Sequence, residues 1–218
     1  MSTRKQFFDT IRPAFRRGKL TSAQVTGLNA IINYGRKTGY SQAHLAYVLA
    51  TVFHETGQRM QPIREGFCKT DGGSRRAVAR LFSKGIISRN YALPDKNGNS
   101  FYGRGYVQLT HKANYAKWGW ENDPDRVLEP EIAMCILFEG MHHGMFRKGK
   151  SLAMISDNPT LANFKAARGI INGDVRKNGV RIAHHAIKFH TALAPIYHYD
   201  HIGQATALYI TDTSHTVV

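Results

Sequence analysis

The chain has 218 residues, 42% hydrophobic and 21% charged, which excludes a disordered polymer and fits one large domain or a domain with a small lobe. Thirty Lys and Arg against fifteen Asp and Glu give a formal charge of +15, so the surface attracts polyanions: nucleic acid, anionic lipid and acidic wall polymers all qualify. The opening MSTRKQFFDTIRPAF shows no secretory signal, and the longest apolar run, near IAMCILF, is too short to cross a bilayer.

In chain order, Phe7, Phe8, Ile11 and Phe15 recur at helical intervals, with Pro13 placed to kink or divide the helix. TSAQVTGLNAIINYG opens with a capping box, Thr21 to Gln24, and carries an apolar stripe of Val25, Leu28, Ile31 and Ile32. AHLAYVLATVF reads as a buried helix with Glu55 within a turn of its end, and Gly57 breaks the pattern. From about 57 to 105 the periodicity weakens into loops, with SRRAVARLF as a short helix. HKANYAKWGW begins another short helix, and Pro130 starts one that runs to about Phe146. TLANFKAARGIING is expected to stop at Gly173, and NGVRIAHHAIKFHTALAPI near Pro195. No period-two run, internal repeat or low-complexity linker is present, so the fold class is mainly α, a single domain over 1–218 with the 57–105 region bordering a groove. Cys68 and Cys135 are expected as two buried thiols, with one disulfide as the alternative.

Two carboxyl groups with unequal roles are what glycosidic bond hydrolysis needs. Glu55, at a helix C-terminus in apolar surroundings, suits the group that keeps its proton. The ordinary alternative is a structural salt bridge or cap. Glu65 is the leading candidate for the ionised partner, with Arg64 beside it, and Asp71 is the second candidate. His54 shapes the local network. In FYGRGYVQLTHKANY, Gly103 and Gly105 permit a tight backbone path, and Tyr102 and Tyr106 either stack on sugar faces or pack. Gln108, Thr110 and Asn114 offer short polar groups suited to a hydroxyl-rich ligand, or a turn followed by a helix cap at Thr110. Position 58 is Gln, which breaks a His-Glu-x-x-His zinc pattern, and the paired histidines 142–143 and 184–185 are adjacent rather than one turn apart. No metal or cofactor is therefore expected. The basic residues are dispersed rather than gathered in an arm, so no specific nucleic-acid partner is expected.

FHETG, then FYGRGYVQLTHKANY, then ARGIINGD, taken in that order, resemble glycoside hydrolase family 19, which contains plant-type chitinases and many phage endolysins. The resemblance implies a lysozyme-like two-lobed fold with a substrate groove and an inverting mechanism. It implies Glu55 as general acid, Glu65 as general base and Thr110 as the hydroxyl that orients the attacking water. Gln108, Asn114 and Asn172 correspond to residues that contact the sugar chain. His54, Tyr102 and Arg104 belong with the substrate-binding set, the last two as supports of the groove. The chain departs from the pattern at Gln58, Tyr106 and Asp174, and its interval from Glu55 to Glu65 is short, as in the phage-like members.

With its small size and basic charge, the chain is expected to be a monomeric peptidoglycan-degrading endolysin without a separate wall-binding module. It would be held in the infected host's cytoplasm until release, or carried in a virion. Electrostatic contact with the anionic envelope is expected as well. A chitinase and a catalytically silent wall-binding relative are the alternatives.

Overall fold

The computed structural model describes residues 2–212, with side chains described through residue 198; residues 1 and 213–218 lie outside it. Helices dominate, and the ones that form the core follow the apolar stripes of the sequence. Helix α1 (Thr3–Ile11) is capped by Ser2, whose hydroxyl accepts from the Lys5 N–H, and it buries Phe7 and Ile11. Pro13 sits in a 3₁₀ turn after it, and Phe15 returns to the core, its ring edge-on to Phe53 at 5.0 Å. Helix α2 (Ser22–Lys37) begins with the capping box: the Thr21 hydroxyl accepts from the Gln24 N–H at 3.2 Å, and Gln24 Oε1 accepts from the Thr21 N–H at 2.8 Å.

Helix α3 (Gln42–Glu55) is buried from Leu45 through Phe53 on every face, because α2 and α8 (Val180–Asp212) pack on it. Helix α8 also covers α1 and α7 (Leu161–Ala167). It does not end near Pro195 as the sequence suggests. Pro195 removes one helical hydrogen bond, but Leu193 and Ile196 are buried on either side, and their packing holds the helix through the proline. Helix α6 (Pro130–His142) stops short of Phe146, whose ring folds back over Gly140.

The region from 57 to 105 is more regular than its sequence suggests. Helix α4 (Asp71–Ser83) extends the expected short helix at both ends. Two two-residue strands, β1 (Ile63–Arg64) and β2 (Arg104–Gly105), pair antiparallel, with Ile63 opposite Gly105 and Arg64 opposite Arg104. Strands this short leave no alternation to detect. A small apolar cluster of Val78, Ala92 and Tyr102 forms here, apart from the main core. The expectation of two buried thiols does not hold: both cysteines are free, Cys68 half-buried and Cys135 exposed on α6.

Gly27 fixes how the segment after α3 meets α2. A Cβ there would lie 1.8 Å from the Met60 carbonyl oxygen. Gly27→Ala should therefore lower stability by about 3 kcal/mol, read as an earlier urea midpoint, because the clash is with backbone and no side chain can move aside.

Candidate active site

The chain reverses sharply just past Glu55. The Thr56 hydroxyl donates to the Val52 carbonyl at 2.7 Å and accepts from the Met60 N–H at 3.0 Å. Gly57, Gln58 and Met60 adopt left-handed backbone, at φ of 54°, 69° and 56°. Gln58 is tied in structurally: its side chain accepts from the Arg16 N–H, and its carbonyl accepts from Gln24 Nε2. These ties aim Glu55 into a groove of about 460 Å³ whose polar lining includes Tyr91, Gln108, Thr110, Asn114 and Asn172.

Helix α5 (Lys112–Ala116) and the turn before it present three of these groups. Arg104 and Leu109 bridge the turn, and Gln108 takes a left-handed φ of 54°. Its side chain packs on Gly103, where a Cβ would lie 2.8 Å from Gln108 Oε1 and would push that amide aside. The Gln108 amide donates to the Ile63 and Gly105 carbonyls. Thr110 donates its hydroxyl proton to the Gln108 carbonyl at 2.8 Å, which leaves the oxygen's lone pairs to accept from a water. The Asn114 amide donates to the Thr110 carbonyl.

The Glu55 side chain is 15% exposed and accepts from Arg168 Nη1 at 2.5 Å. Arg168 is 3% exposed, and its Nε and Nη2 also bind both oxygens of Asp174, at 2.5 and 3.1 Å. One cation thus serves two carboxylates. Burial raises the pKa of Glu55; Arg168 opposes this, and the charge of Asp174 adds to it. Burial opposes the charge of Asp174 too, but hydrogen bonds from Arg168 and Asn178 outweigh it and hold that carboxyl below its ordinary value. A cluster that carries net −1 when fully ionised becomes neutral when Glu55 takes a proton.

Glu65 has a different environment. Its carboxylate accepts from the Tyr91 hydroxyl at 2.5 Å and the Gly103 N–H at 2.7 Å, and its own N–H donates to the Gly103 carbonyl at 2.7 Å. Arg64, expected to support it, turns away and pairs with Asp125 at 2.5 Å. Neutral donors therefore hold Glu65, which does not itself line the groove; its tie to the groove runs through Tyr91, which does. Asp71 is engaged by Arg75 at 2.6 Å and Arg104 at 3.5 Å and does not line the groove.

Four residues weighed for the sugar site are not on the groove wall. Tyr102 is 0% and Arg104 1% exposed, so neither can touch a ligand. The Arg104 guanidinium stacks on the Tyr102 ring at 3.7 Å and bonds Asp125, Tyr115 and the Ser100 carbonyl, which braces the turn from behind. Tyr106 is 2% exposed and packs instead of stacking on a sugar. His54 stands beside the Arg168 cluster, off the groove wall. Burial, with Arg168 and Arg181, pushes its pKa down to about 4, so it is neutral near pH 7.

Tyr91, Arg168 and Asp174 are the members that sequence reasoning did not assign. Tyr91 lies in the aperiodic loop region, and the link from Arg168 to Glu55 spans 113 positions that no local pattern joins. Among the described residues, no three of His, Cys, Asp and Glu converge to hold a metal ion. Comparison of the chain with known protein families, curated proteins and solved structures finds no match.

Proposed function

We propose that the chain is a glycoside hydrolase acting on β-1,4 bonds of bacterial peptidoglycan, an endolysin with the two-lobed, lysozyme-like plan of family 19. The observation that carries this reading is Glu55: a largely buried carboxyl whose pKa burial raises, opening onto a groove that also presents Gln108, Asn114, Asn172, Thr110 and the guanidinium-bearing Arg147. The order of the three sequence motifs and the small apolar cluster beside the main core support it as well.

In this mechanism protonated Glu55 donates to the glycosidic oxygen as the bond from that oxygen to the anomeric carbon breaks. Glu65 removes a proton from a water that hydrogen-bonds to the Thr110 oxygen, and that water attacks the anomeric carbon from the opposite face. The product carries inverted configuration, and solvent exchange restores the protons on both carboxyls. Gln108, Asn114 and Asn172 orient the acetamido and hydroxyl groups. Tyr91 holds the Glu65 carboxylate in place. No described helix is long and apolar enough to cross a membrane. Release from an infected host or delivery in a virion belongs to the same proposal.

The test is digestion of purified peptidoglycan, with mass analysis of the fragments and NMR of the first-formed anomer. Reducing-end amino sugars that appear initially as the α-anomer are expected. Anhydro-muramic ends would exclude water as the nucleophile and overturn the mechanism.

A further inference from the structure

A second cavity, of about 610 Å³, adjoins the groove and is lined by Ile86, Ile87, Ser88, Arg89, Tyr91 and His111. Tyr91 and His111 line both, so the two spaces share a wall, and these two rings meet edge to face at 5.2 Å. The lining combines alkyl surface, with Ile86 64% exposed, and a single guanidinium. Arg64, Arg75, Arg104, Arg126 and Arg168 all pair with acidic side chains. Arg89 forms no hydrogen bond or ion pair with any described residue. Burial and then the charge of Arg89 depress His111, so near pH 7 the imidazole is uncharged and Arg89 supplies the positive charge of the cavity.

Resting on the glycosidase reading of the groove, we propose that this cavity is a subsite for a carboxylate-bearing substituent of the sugar chain. The carboxylate lies on Arg89 and the alkyl part on Ile86 and Ile87. A neutral hexosamine chain would gain nothing from the guanidinium, whereas an acidic lactyl or peptidyl arm gains a charge-assisted hydrogen bond. The subsite also reaches the chemistry, because the Tyr91 that forms its wall is the residue whose hydroxyl donates to Glu65.

The test measures binding to full-length Glu55→Gln protein, in which turnover is too slow to consume the ligands during the measurement, with and without Arg89→Gln. Three probes are used: an N-acetylglucosaminyl-N-acetylmuramic acid disaccharide with its free lactyl carboxylate, the same disaccharide carrying a dipeptide, and a neutral N-acetylglucosamine tetramer. Arg89→Gln is expected to weaken at least one acidic probe about fivefold and leave the tetramer unchanged, with the difference vanishing in high salt. The acidic probe that responds identifies the carboxylate that is held. Equal weakening of all three probes, or of none, overturns the subsite. Arg89 is exposed in a loop, and an unchanged melting temperature checks that the variant folds. Arg89-dependent binding with no hydrolysis of peptidoglycan by the native chain would uphold the acidic subsite and discard the glycosidase reading. Hydrolysis with Arg89-independent binding would do the reverse.

Discussion

A Glu55→Gln protein is expected to fold, to melt no lower than the native chain at pH 7, and to release reducing ends about a thousandfold more slowly. The rate effect follows from removing the proton donor while keeping its shape. The stability effect follows from linkage. The folded-state pKa of Glu55 is raised, so the native state binds that proton more tightly than the unfolded chain does. Its contribution to stability is fully present at low pH. It is lost as pH climbs from the unfolded value, about 4.3, through the raised folded value. Above that window the ionised carboxylate costs stability, and glutamine escapes the cost because its Oε1 can still accept from Arg168. Native and variant melting temperatures should therefore converge in acid and separate toward neutrality. The same titration sets the alkaline limb of the rate profile, since activity falls once Glu55 loses its proton. A variant with full lytic rate would remove Glu55 from the mechanism, and one that melts lower at pH 7 would mean that the residue serves the fold as a salt-bridge partner.

The sequence reveals most where local physics decides the outcome. The capping box at Thr21, the buried run ahead of Glu55 and the Pro130 helix start each depend on neighbours within a few positions, and each appears as expected. Tertiary contacts decide the rest. Pro195 reads as a stop because a proline breaks an isolated helix, yet the burial of Leu193 and Ile196 overrides it. Arg64 reads as the partner of Glu65 because they are adjacent, but β1 ends at Arg64, the chain turns at Glu65, and Asp125 captures the guanidinium. Tyr102 reads equally as a ring that stacks on a sugar or one that packs, because an aromatic residue near glycines suits either role. Its burial follows from Arg104, which needs a ring to stack on and an interior in which its fork is fully used. Groups that sequence motifs place on the groove wall, Gln108, Thr110, Asn114 and Asn172, do converge there with Glu55. Those that set the charge of Glu55 come from a distant segment.

That segment yields the second large effect. Arg168→Gln removes a buried cation from between two carboxylates and leaves Glu55 and Asp174 without their common partner. Stability should fall by about 3–5 kcal/mol, measured by urea unfolding at pH 7, and part of the loss should return in acid as the stranded carboxyls take up protons. Asp174→Asn separates this structural role from the electrostatic one. The amide oxygen, placed where Oδ2 stands, still accepts from Arg168 Nη2 and Asn178, while the amide nitrogen faces Arg168 Nε and that one hydrogen bond is lost; the guanidinium charge is no longer shared and acts on Glu55 alone. The Glu55 pKa should then drop, and the alkaline limb of the rate profile should move to lower pH while the acid limb stays in place. If charge sharing with Asp174 does not poise Glu55, the limb will not move in Asp174→Asn, and any loss of rate will be uniform across pH.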